Sequence, residues 1–200
     1  MINTEIPVVN EDPTGILSKV KCFALDMYGT IYLGERWIDG AKEFLERIEA
    51  SGRNYVFLTN NSSKNAAVYV EKLERMGLSV GEDKIVTSGQ ATIHYLKRHF
   101  PGKKVFLLGN ALLREEFLQA GVVLEEDNPD VVVTAFDTSL DYVKMCRVCD
   151  FVRAGLPYLA THPDSNCPPE DGFIPAAGAI HAVINASAFR YPDRVIGKPN

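Results

Sequence analysis

Three side chains of this 200-residue chain could together move a phosphoryl group. Asp26 ends the apolar run Cys22-Phe23-Ala24-Leu25, Thr59 ends Tyr55-Val56-Phe57-Leu58, and Lys198 follows Arg194-Val195-Ile196-Gly197. A carboxylate can be a nucleophile that forms an aspartyl-phosphate. A hydroxyl and an ammonium can hold the oxygens over which charge spreads during transfer. Backbone N–H groups of the Gly29-Thr30 turn and of Asn60-Asn61 lie just ahead of expected helices, where anions bind. Two carboxylates beside a phosphate would repel one another without a cation, so Mg²⁺ is expected.

Strands must deliver these groups to one edge. Short apolar runs ending in polar turns read as buried parallel strands, and open α/β sheets bind ligands at the carboxyl edge. The runs at 22–25, 55–58 and 85–87 alternate with helices expected over 39–51 and from Ala66 to Gly77, a β-α-β-α-β pattern. Asp39 suits an N-cap, and Ala41, Phe44, Leu45 and Ile48 an apolar face. From Ser88 a second alternation follows. It has strands at 105–108, 131–133 and 158–160 and helices at 88–100, 111–120 and 140–154. The loop 162–172, with Pro163, Pro168 and Pro169 and with Pro175 just beyond it, marks a return to the first unit. A last helix runs over 177–189, with Ile180, Val183, Ile184 and Ser187 on one face.

Composition excludes other classes. The chain is 46% hydrophobic with net charge −5, and no Lys/Arg run marks a nucleic-acid or membrane surface. No apolar stretch approaches a bilayer span, and the first residues lack a signal peptide's basic start and apolar core, so a cytoplasmic location is expected. Cys146 and Cys149 form a CxxC. Cys22 and Cys167 are isolated, so a zinc site would lack its second pair. A core stripe of Tyr142, Met145, Cys146, Cys149 and Val152 is the expectation instead. Leu108-Gly109-Asn110 lacks the spaced glycines of a dinucleotide site.

LDMYGT, VFLTNNSS and IGKPN resemble the first three motifs of the haloacid dehalogenase-like phosphatases, and THPDSNCP at 161–168 is similar to their NagD-like branch. The resemblance covers nearly the whole chain. It implies a Rossmann-like parallel-sheet α/β core over 1–87 and 176–200 with a large α/β cap inserted at 88–175. Members hydrolyse small phosphate esters such as sugar phosphates or nucleotides, often as dimers paired through the cap. Asp26 matches the nucleophile and a Mg²⁺ ligand, with the backbone carbonyl of residue 28 as another. Thr59 and Asn60 match phosphate-binding groups, and Lys198 the cation that neutralises nucleophile and phosphate. Asp137, His162 and Asp164 are the polar cap candidates for substrate. His162, where related sequences often have Asn, could instead be a surface loop residue.

Two departures bear on activity. The family has a second Asp two residues after the nucleophile, and here that residue is Tyr28. The missing acid protonates the leaving group and then activates water. A phenol can donate a proton but is a poor base near neutral pH. Slow dephosphorylation of Asp26 is expected, or a silent site kept for binding a phosphate ligand. The chain also stops at the third motif. A truncated enzyme that lacks the acidic fourth motif, with the Asp26 strand left as an exposed edge, is the expectation.

Overall fold

The computed structural model describes residue 15, residues 17–167 and residues 172–200. Most of the N-terminal arm, and Pro168 and Pro169 of the proline-rich loop, lie outside the described residues. Two parallel sheets organise the rest.

The first holds β1 (Cys22–Asp26), β4 (Asn54–Thr59) and β5 (Ile85–Thr87) in the order β1-β4-β5. Asp26 pairs in register with Leu58 and Thr59 with Thr87, so both functional strands end at one edge. Tyr55 and Phe57 of β4 are fully buried. They share a core with Ala41, Leu45 and Ile48 of α1 (Ala41–Ala50) and Ala66, Tyr69 and Leu73 of α2 (Ala66–Arg75). Among the described residues β1 pairs only with β4, and it is half-buried. Between β1 and α1 a small hairpin, β2 (Tyr32–Leu33) with β3 (Arg36–Trp37), is pinned by the Trp37 indole N–H donating to the Met76 carbonyl at 2.9 Å. Sequence patterning did not reveal it.

The second sheet contains β6 (Lys104–Leu108), β7 (Val123–Leu124), β8 (Val131–Thr134), β9 (Tyr158–Ala160) and β12 (Arg194–Val195). Their order is β12-β9-β8-β6-β7, all parallel. Alternate residues of β6 face opposite layers. Val105 and Leu107 pack with α3 (Ser88–His99) and α4 (Ala111–Gln119). Phe106 and Leu108 pack with α5 (Tyr142–Arg153) and α6 (Ala177–Ala188). A short ribbon of β10 (Asn166–Cys167) and β11 (Ile174–Pro175) precedes α6.

Several local expectations need correction. The segment 176–200, expected with the first unit, gives α6 and β12 to the second sheet. Only the turn after β12 returns. On α5 the buried face is Val148, Cys149 and Val152, while Tyr142 and Cys146 are exposed. The helix begins at Tyr142, and its core contact comes from its second half. On α6, Val183 is exposed and His181 buried. α1 starts after Gly40, which takes a left-handed φ of 80°, and Asp39 makes no cap. Among the described residues no helix is long and apolar enough to cross a membrane.

Candidate active site

Asp26, at the end of β1, lies against Lys198, whose ammonium donates to the Asp26 carboxylate and, at 3.1 Å, to the Leu58 carbonyl. The two side chains come from positions 172 residues apart. β12 makes this possible. Pairing with β9 carries on past the strand, through the Ile196 N–H to the Ala160 carbonyl and the Gly197 N–H to the Thr161 carbonyl, at 3.0 and 2.8 Å. Gly197 is required by this crossing. A Cβ there would stand 2.6 Å from both Asn60 Oδ1 and the Thr161 carbonyl.

Asn60 clamps the lysine backbone from the other side. Its Oδ1 accepts from the Lys198 N–H at 2.8 Å, and its Nδ2 donates to the Lys198 carbonyl at 3.1 Å. The same Nδ2 reaches both oxygens of Asp164, at 3.2 and 3.1 Å. The amide is thus placed on Lys198 and Asp164. Thr59, almost buried, accepts from the Asn61 N–H at 3.2 Å. Tyr69 also reaches Thr59, and burial pushes its phenol up to about 12.

These residues line a cavity of about 790 Å³ that also meets Tyr28, Tyr32, Lys64, Lys72, Phe136, His162, Asp164 and Ile174. His162 is not a surface loop residue. It is 1% exposed, and among the described residues neither ring nitrogen makes a hydrogen bond. Its Nδ1 lies 3.5 Å from Asp164, within electrostatic reach but beyond a well-formed hydrogen bond. The His162 ring, and after it the Asn60 amide, hold the Asp164 carboxyl below the usual carboxylate range.

Other expected site residues fall elsewhere. The Gly29 N–H donates to the Tyr32 carbonyl and the Thr30 N–H to the Met27 carbonyl, so this turn satisfies itself and does not line the cavity. Asp137 is buried against Ser139 and Lys144, with Lys144 Nζ at 2.9 Å, and does not line the cavity either. Sequence reasoning missed Ser62. Its buried hydroxyl lies 3.0 Å from Thr161 Oγ1 and accepts from the Phe136 N–H at 3.0 Å, tying the loop after β4 to two loops of the second sheet. Asn110 adds a third tie, to the Ser63 carbonyl at 2.9 Å. The run Asn60-Asn61-Ser62-Ser63 was the available signal: short polar side chains that bond backbone are common where a strand ends in a turn.

The family model described as haloacid dehalogenase-like hydrolase matches residues 23–123. Over 184 residues the chain is 35% identical to the acid sugar phosphatase of Staphylococcus aureus strain MRSA252, covering 92% of this chain and 71% of that one. The chain belongs to the haloacid dehalogenase-like hydrolases, in their NagD-like phosphatase branch. Among solved structures, the 4-nitrophenylphosphatase from Thermotoga maritima superposes with a TM-score of 0.89 at 45% identity, covering 92% of this chain and 71% of that one. NagD from E. coli K-12 superposes with a TM-score of 0.82 at 31% identity, covering 90% and 70%.

Phosphatases of this family generally use Mg²⁺, and the donors here are few. Lys198 takes the Asp26 Oδ1, and the Tyr28 carbonyl is the neighbouring oxygen expected beside the carboxylate. No cluster of three or more His, Cys, Asp or Glu side chains suited to a metal occurs among the described residues. Mg²⁺ is commonly held by one or two carboxylates with substrate phosphate and water completing the shell. This donor set fits such shared binding and not a closed protein cage.

Proposed function

We propose that this phosphatase hydrolyses small phosphomonoesters, of the sugar-phosphate or nucleotide kind, through an aspartyl-phosphate on Asp26. The observation that carries the reading is the Asp26–Lys198 pair beside Thr59 in one cavity. Asp26 attacks phosphorus, Lys198 neutralises the carboxylate and the incoming phosphate, and Thr59 contacts a phosphate oxygen. Asp26 and the Tyr28 carbonyl would hold Mg²⁺ together with the phosphate, where the ion would screen negative charge. His162 and Asp164 face the ester's alcohol portion. With Tyr28 in place of an acid, hydrolysis of the phosphoenzyme is the slow step. The four free thiols suit a reducing cytoplasm. The exposed Tyr142 and Val143 of the second unit suit pairing of two copies through that unit, which sedimentation would test.

The test is p-nitrophenyl phosphate hydrolysis with and without Mg²⁺, beside Asp26→Asn. Metal-dependent turnover abolished by the substitution is expected. Turnover that survives Asp26→Asn would refute the covalent route. A second reading, a silent phosphate-ligand binder, is favoured by one observation. Among the described residues the buried Tyr28 hydroxyl has no hydrogen-bond partner. Tight phosphate binding by calorimetry without any turnover would select it.

A further inference from the structure

An ionised phosphate ester offers its site only acceptor oxygens, so a hydroxyl that binds it must donate its proton there. Thr59 has one such proton and two lone pairs, and a hydroxyl hydrogen rotates to suit its neighbours. The direction of the Thr59 proton is therefore decided by what fills the lone pairs. One is taken inside the loop. The Asn61 N–H donates to Thr59 Oγ1 at 3.2 Å, a local bond of the kind that hydroxyl side chains make to backbone two residues on.

The other is met from α2. Ala66, Tyr69 and Leu73 are the buried residues of that helix, and their spacing puts them on one face. The Tyr69 ring sits in the core that also holds Phe57 and Leu73. It is 5% exposed, and it reaches the wall of the cavity that Thr59 lines. Thr59 is the hydrogen-bond partner of its side chain. The helix is held at both ends. Asn65 caps its first turn by accepting from the Val68 N–H at 3.1 Å, and the Trp37 indole binds the Met76 carbonyl beyond its last turn. Burial raises the phenol to about 12, so the hydroxyl keeps its proton through the neutral range and is available as a donor.

We propose that Tyr69 is a positioning residue of the phosphate site. Its O–H donates to Thr59 Oγ1, completes the acceptor side of that oxygen together with the Asn61 N–H, and so turns the Thr59 proton to the phosphate. The opposite sense, with Thr59 donating to Tyr69, would present lone pairs to an anion and oppose its binding. The inference rests on the phosphatase reading above and adds a residue that acts through Thr59.

The experiment is a double-mutant cycle on Tyr69→Phe and Thr59→Val. It is read by calorimetric binding of inorganic phosphate with Mg²⁺ present, and by kcat/KM for 4-nitrophenyl phosphate. Both substitutions remove a hydroxyl and keep nearly the same volume, and circular dichroism checks each fold. A charge-assisted hydrogen bond is worth roughly 10- to 150-fold, the loss in phosphate binding expected of Thr59→Val. Tyr69→Phe in the parent is expected to cost more than about twofold in both readouts, and no more than Thr59→Val does. In the Thr59→Val background it is expected to cost less than about 1.5-fold, because the oxygen it acts on is gone. A ring that only supports the fold would cost the same factor in both backgrounds. Equal factors, or a loss below about twofold in the parent, would overturn the proposal. Ester hydrolysis without coupling between the two positions refutes only this inference. Coupling in phosphate binding by a chain that hydrolyses no ester refutes the phosphatase reading and leaves the role of Tyr69 standing.

Discussion

Asn60→Ala tests how the lysine is held. The substitution removes two bonds to the Lys198 backbone, at 2.8 and 3.1 Å, and the contacts to Asp164. A net hydrogen bond is worth roughly 0.5–1.5 kcal/mol. The two backbone bonds together therefore contribute about 1–3 kcal/mol. The Asp164 contacts are solvent-exposed and add little. If the clamp only stabilises the fold, urea unfolding records that loss while kcat of the folded fraction is unchanged. If it positions Lys198, the ammonium drifts from Asp26 and the loss reappears in the barrier. At about 1.4 kcal/mol per factor of ten, kcat then falls by roughly 5- to 150-fold with KM much less affected. The assay is steady-state hydrolysis of 4-nitrophenyl phosphate by protein shown to be folded by circular dichroism. A kcat within about twofold of the parent would refute the positioning role, because it would leave less than ~0.5 kcal/mol of the clamp acting on chemistry.

Gly197→Ala places a methyl 2.6 Å from two oxygens. Overpacking of that kind costs typically ~1–3 kcal/mol, and both stability and activity should fall. Ser62→Ala leaves the buried Phe136 N–H and Thr161 hydroxyl without their partner, and a loss of about 1–3 kcal/mol is expected in denaturant unfolding. Asp137→Asn weakens the pair with Lys144, and stability should drop while KM stays fixed, since the residue does not line the cavity. Burial, and then the charge of neighbouring His162, push His181 down to about 4. The folded state thus resists a proton that the unfolded chain accepts. This contribution to stability is complete above about pH 6.5 and is lost as pH falls towards 4. His181→Gln should flatten the stability–pH profile over that range.

Much of the site was legible because strand ends announce themselves. An apolar run cut off by Asp26 or Thr59 fixes both the element and the edge it reaches, and the register confirms that both arrive together. Lys198 was legible from its motif, but its route was not. β12 has two residues, and nothing local in Arg194-Val195 says which sheet it joins. Helix faces failed for a related reason. Tyr142 and Val183 are apolar at helical spacing, yet burial depends on which half of the helix meets the sheet. His181 was the opposite case, a polar type that tertiary packing encloses. The Gly29-Thr30 turn looked like an anion cradle, but Gly29 with φ of 79° folds the turn back onto Met27 and Tyr32. The spacing of residue types does not reveal where an N–H points.

The separation of Asp26 from Lys198 has a consequence during biosynthesis. A ribosome adds about 5–20 residues per second, so on the order of ten to thirty seconds part the two residues in time. Throughout that interval the nascent chain presents a carboxylate and a threonine without their cation. On the role proposed for Lys198, a growing chain cannot strip phosphate from metabolites around the ribosome, and synthesis itself delays the chemistry.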